Sequence, residues 1–246
     1  MLKGANVVRY SLTFLGASML AVCSGEAVDP LDRAVSIGGS EAVSGGGTTD
    51  VQPEPATLQG TEADWAIVQE KTQWAVAQGH ASLSIGDLVA RIGETFVGTP
   101  YAPYTLEAPG EESLVIELEE LDCVTFVENV LALARFVQTA PDDLLAANAG
   151  QKQRPFFARI LEDIRYRGGE LDRYPSRLHY FSEWIRDNDR MGLVRDVSEE
   201  LGGVPDDEAI DFMTTHSDAY RQLGENPAFV SELRQAETRL NAAPRY

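Results

Sequence analysis

Leu121-Asp122-Cys123-Val124-Thr125-Phe126-Val127-Glu128-Asn129-Val130-Leu131-Ala132-Leu133-Ala134-Arg135 is the stretch on which the reading of this chain turns. It puts a thiol at the start of a strongly apolar helix that runs to about Gln138. The five residues Leu114-Val115-Ile116-Glu117-Leu118 before it alternate and read as a short strand. Asp122 is a favoured N-cap type, and Thr125 with Glu128 fits a capping box shifted inward. A thiolate is the form that attacks a carbonyl, and the N-terminal end of a helix favours negative charge. Cys123 is therefore a candidate nucleophile. The competing reading is a small buried apolar residue, a common fate of free cysteine.

Working outward, further helices are expected over Phe156–Tyr166, Tyr180–Asn188, Asp207–Leu223 and Ala228–Ala242. Towards the N-terminus, Trp65, Ile67, Val68, Trp74, Ala75 and Val76 suggest one helix. Ser84-Ile85-Gly86-Asp87 opens another, which the Gly98-Thr99-Pro100-Tyr101 run ends. Strand signals are few. The expected class is α+β, mostly helical.

Residues 1–23 read as an export signal: Lys3 and Arg9 precede an apolar core from Ser11 to Val22. Leu20-Ala21-Val22-Cys23 resembles a lipoprotein box, which would make Cys23 a lipidated N-terminus. Val22 departs from the small residue usual there, so ordinary cleavage stays open. Residues 24–60 are rich in Gly, Ser, Thr, Pro and acids, and read as a flexible tether. The folded part is expected over 61–246. The location implied is exported, in the periplasm or cell envelope. Contact with a membrane is expected only through the signal or a lipid anchor, since no apolar run of about eighteen residues exists to span one.

The formal net charge is −19. Nucleic acid and anionic lipid both need a basic surface, so neither is expected as the main partner. Cys23 and Cys123 are the two cysteines. If the leader is lost or lipidated, Cys123 has no partner in the chain. No metal-binding spacing and no phosphate loop occurs, so no metal and no cofactor is expected.

A catalytic cysteine needs a base within reach, itself oriented by a third group. The chain has three histidines. His80 follows a helix end and reads as a solvated cap. His179 and His216 each read either as a partner for Cys123 or as an ordinary hydrogen-bonded helix residue. Arg165, Arg167, Arg173 and Arg177, interleaved with Tyr166 and Tyr174, form a basic aromatic cluster in an acidic chain. It could hold a carboxylate-bearing ligand or form an internal ion-pair set.

Gly98-Thr99-Pro100-Tyr101, Thr105-Leu106-Glu107 and Leu121 to Glu128 together resemble a bacterial N-acetylmuramoyl-L-alanine amidase-like family, long a domain of unknown function. That family belongs to the NlpC-type, papain-like cell-wall cysteine peptidases. Arg165 to Gly169, Ser176 to Phe181, and Phe212-Met213 with His216 and Tyr220 resemble its helical insert. The likeness covers roughly residues 84 to 246 and implies cleavage of an amide bond in peptidoglycan or muropeptides. Cys123 would be the nucleophile, and Tyr101 would help polarise the substrate carbonyl. Arg177, His179 and Tyr180 would shape the substrate cleft.

In that family the histidine base comes from a sheet that follows the insert, whereas this chain ends at Tyr246. The resemblance thus implies the N-terminal helical portion of the fold with most of the sheet missing and activity impaired. Uncovered apolar side chains on the Cys123 helix would then leave a destabilised or partner-dependent domain. The alternatives are a non-catalytic envelope protein that binds peptidoglycan peptides, and a degenerate truncated product.

Overall fold

The computed structural model describes residues 58–246. Cys23, the signal over 1–23 and most of the expected tether lie outside those residues. The chain enters as β1 (Leu58–Gln59), inside the stretch read as tether. It pairs in parallel with β2 (Leu114–Val115), Leu58 opposite Leu114 and Gln59 opposite Val115. The strand expected over 114–118 is thus only two residues long. Its continuation is held by side chains instead. Asp64 Oδ1 accepts the Leu118 N–H at 2.8 Å, and the Asn129 amide donates to the Glu117 carbonyl at 3.0 Å. Gly60 permits the close approach, because a Cβ there would sit 3.0 Å from that of Ile116.

Local chemistry sets the helix starts. Thr61 and Asp64 form a capping box at the head of α1 (Glu62–Ala77). Ser84 caps α2 (Ile85–Glu94), which stops four residues before the glycine read as its end. The central helix is α3 (Cys123–Thr139). Then follow α4 (Asp142–Leu145), α5 (Arg154–Arg165) and α6 (Phe181–Arg190). Pro227 at the first position suits the start of α9 (Pro227–Asn241), since its missing N–H would have no helical partner.

The single helix expected over Asp207–Leu223 is broken into α7 (Phe212–Thr215), a short 3₁₀ turn and α8 (Arg221–Glu225). His216 leaves helical geometry at φ −122°, ψ 38°. Tertiary bonds override the local pattern: Ile210 N–H donates to Asn241 Oδ1 at 2.8 Å, and Thr214 N–H to Glu237 at 3.1 Å.

The core surrounds α3, which packs on α5, α2 and α1. Val130, Leu131, Leu133 and Phe136 are buried, and Phe136 meets Phe157 edge-on at 5.9 Å. Helices therefore cover the flanks for which the sequence required a sheet, and the expected loss of burial shrinks to the first turns. There Val124, Phe126 and Val127 stay partly exposed. A second, smaller core gathers Met213, Leu223 and Leu233 around Tyr174. Among the described residues no helix is long and apolar enough to cross a membrane.

Candidate active site

Cys123 is the first residue of α3 and its thiol is exposed. Asp122 holds it there. Asp122 Oδ1 accepts the N–H groups of Val124 (3.0 Å) and Thr125 (2.8 Å), and the Thr125 hydroxyl accepts the Asp122 N–H at 2.9 Å. The capping box is thus Asp122 with Thr125. Glu128 takes no part in it. Its carboxylate is turned into the core and accepts from Arg165 Nε at 2.7 Å.

The thiol opens on a cavity of about 240 Å³ whose walls include Phe96, Pro100, Tyr101 and Phe126. Tyr101 is bridged through its backbone to Leu121, two residues before the cysteine, and is itself 72% exposed. The backbone between Phe96 and Tyr101 folds back through the Thr99 N–H, which donates to the Phe96 carbonyl at 3.0 Å. Cys123 and Tyr101, which the family resemblance set near one another, share one cavity.

Arg177, His179 and Tyr180 line a different hollow, of about 230 Å³, together with Tyr104, Glu107 and Phe212. Asp122 lies in the walls of both, so the two hollows meet at the helix cap. Tyr104 is the one non-glycine among the described residues with a positive φ, at 66°, and is 72% exposed. Holding a tyrosine there costs on the order of 1 kcal/mol, so the surrounding structure must impose it. Three side chains pin the strap that follows by alternate carbonyls. Arg177 donates to that of Leu106 at 2.7 Å, Arg221 to that of Ala108 at 2.5 Å and Gln222 to that of Gly110 at 2.7 Å.

The arginine cluster is an internal set. Arg165 pairs with Glu128, Arg167 with Glu183, Arg173 with Glu232, and Arg177 with Glu107 and Glu112. Arg177 is only 5% exposed. Burial opposes its charge, and Glu112 and Glu107 outweigh that, so it titrates above its ordinary value. Glu112 is pushed the other way: burial raises it, against the pull of Arg177. Arg177 thus builds the wall of the hollow and has little charge to spare for a ligand.

None of the three histidines lines the cavity of Cys123. His80 packs edge-on to Trp74 at 5.1 Å, and His216 stacks on Phe212 at 4.3 Å. His179 Nε2 lies 2.8 Å from the Tyr174 carbonyl, with the two rings 4.4 Å apart. Burial, aided by the charge of Arg177, holds its imidazole well below the ordinary value of 6.5. The folded protein therefore keeps His179 neutral at a pH where the unfolded chain takes up a proton. Its contribution to stability is present above about pH 6.5 and lost as pH falls below it, by up to about 1.4 kcal/mol per pH unit. The melting temperature should fall between about pH 7 and 5.5, and less so in His179→Gln. An equal fall in both proteins would show that the imidazole stays accessible to protons.

An N-terminal cysteine on a long buried helix, a tyrosine bridged beside it and an arginine-rich helical lobe behind are what comparison with known proteins should match. A family model, AmiA-like and described as N-acetylmuramoyl-L-alanine amidase-like, matches residues 91–246. The chain belongs to this amidase-like family. A crystal structure of an N-acetylmuramoyl-L-alanine amidase from Bacteroides uniformis aligns with a TM-score of 0.57 at 33% identity, covering 66% of this chain and 63% of that one. A Bacteroides fragilis protein, provisionally named a xylanase, aligns with a TM-score of 0.53 at 37% identity, covering 63% of each chain. The amidase-like chain thus spans less than two thirds of the length of these solved structures. A comparison with curated proteins gives no match.

Two residues, one lining the site and one behind its wall, escaped the sequence reading. Tyr104 had a signal in the spacing Tyr101-Ala102-Pro103-Tyr104, which places a second aromatic three residues beyond the first. Glu237 had none, since one acid on a helix rich in polar residues looks like any other.

Proposed function

We propose that this chain acts on peptidoglycan fragments as a cysteine amidase of the NlpC-type, papain-like group, exported to the cell envelope. The observation that carries the reading is the position of Cys123: exposed, first in a 17-residue helix, and opening on a cavity it shares with Tyr101. In the proposed reaction the thiolate sulfur attacks the carbonyl carbon of an amide. Tyr101 polarises the carbonyl oxygen, the amine leaves with a proton, and water hydrolyses the thioester. The hollow lined by Arg177, His179 and Tyr180 would receive the flanking part of the same muropeptide.

The step needs a base to take the thiol proton and hand it to the amine. His179 is held neutral at the Tyr174 carbonyl and His216 is tied to the Phe212 carbonyl, so neither is assigned that role. The base is proposed to come from outside the described residues.

The same observation favours a second reading, a non-catalytic envelope protein that keeps the cleft and binds peptidoglycan peptides. One pair of measurements separates the two. Titration with a muropeptide should give the same affinity in wild type and Cys123→Ser under both readings, because serine is nearly isosteric. Product formation, followed by mass spectrometry, should appear in wild type alone if the chain is an enzyme. Failure of both proteins to bind any muropeptide would end the peptidoglycan assignment.

A further inference from the structure

We propose that Glu237 is a positioning residue for the hollow beside Cys123, acting through Tyr180. Glu237 lies on α9 and is 3% exposed. One carboxylate oxygen accepts the Tyr180 hydroxyl at 2.7 Å and the Thr214 N–H at 3.1 Å. The other accepts the Thr214 hydroxyl at 2.5 Å. The Tyr180 oxygen in turn accepts the Met213 N–H at 2.9 Å. A buried carboxylate oxygen left without a donor is costly, so the carboxylate and its three donors hold one another in place.

The clasp joins three segments distant in sequence: the head of α6, the short α7 and the last helix. Two of the residues it fixes, Tyr180 and Met213, are walls of the hollow. Burial first, and the Glu237 charge with it, push the Tyr180 phenol above its ordinary range. Its hydroxyl both donates and accepts within the clasp, so Tyr180 meets a ligand with its ring face. Glu237 touches no ligand itself. It sets the angle at which that ring stands.

The proposal rests on the muropeptide reading, and its test keeps the two apart. The full chain, Glu237→Gln, Tyr180→Phe and the double variant are titrated with N-acetylmuramoyl-L-alanyl-D-isoglutamine. Each single change should weaken binding by about fivefold, with the double variant no weaker than either, because both break the same clasp. Amide exchange at Met213 and Thr214 should quicken by about tenfold in Glu237→Gln, with the α3 amides unchanged. Additive losses, or unaltered affinity and exchange, would overturn the clasp while leaving muropeptide binding intact. A wild type that binds no probe would overturn the muropeptide reading, and the positioning role with it. If Glu237→Gln does not fold, Thr214→Val keeps the carboxylate and removes one donor. It should show the same non-additivity with Tyr180→Phe, and independence would count against the proposal.

Discussion

Alanine in place of Cys123 should reduce turnover of an amide or activated ester to the buffer background. Where a nucleophile and its base act as a unit, losing the nucleophile costs roughly 10⁶-fold in kcat. No histidine lines the cysteine's cavity among the described residues, so an amide turns over at a handicap of roughly 10²–10⁴-fold unless the base proposed to lie outside them is in place. An activated aryl ester lowers that handicap, since its leaving group departs without needing a proton. The sensitive readout is a burst of phenolate stoichiometric with protein in wild type and no burst in Cys123→Ala. Equal bursts in both would remove the nucleophile assignment, whatever the fate of the muropeptide reading. Iodoacetamide should also add a single carboxamidomethyl group among the described residues, because Cys123 is the one free cysteine there and is exposed.

The largest effect on stability is expected at Glu128. Its side chain and that of Arg165 are each 1% exposed and joined at 2.7 Å, with Arg165 also donating to the Val115 carbonyl at 2.5 Å. Glu128→Ala leaves the guanidinium charge buried beneath the cysteine helix with its main partner gone. Breaking a buried pair from one side costs about 3–5 kcal/mol. At roughly 2–4 °C per kcal/mol for a domain of this size, the melting temperature should drop by roughly 6–20 °C. The paired change Glu128→Leu with Arg165→Met removes both charges and should recover most of that loss. A small drop in the alanine variant, or a double variant as weak as the single, would show that water reaches the pair.

The helix starts at Ser84 and Asp122 were legible because each cap is a local event, written within four residues of sequence. The partner of the Leu114 strand was not. It is two residues long and hides at the end of a polar stretch, where neither length nor alternation marks a strand. The region after Asp207 was misread for the opposite reason. Its apolar spacing suits a helix, but bonds to Glu237 and Asn241 from the last helix decide its path, and no local pattern carries a contact from so far along the chain. Arginines 165, 167, 173 and 177 were legible as a group, and their glutamates were not, because all five lie outside the cluster's own segment. The same limit applied to the site. Cys123 stood out as a residue type at a helix start, and Tyr101 through the family resemblance. Which hollow each faced depended on packing.

Asp122 sits where the two hollows meet, and its atoms are already committed: Oδ1 to the amides of Val124 and Thr125, its own N–H to the Thr125 hydroxyl. Any molecule long enough to lie in both hollows has to cross this ridge. At the crossing it meets the carboxylate of the cap. A neutral stretch of ligand passes without penalty, whereas a carboxylate at that point is repelled. The carboxylate that starts the cysteine helix would thus also bear on the charge of whatever crosses it.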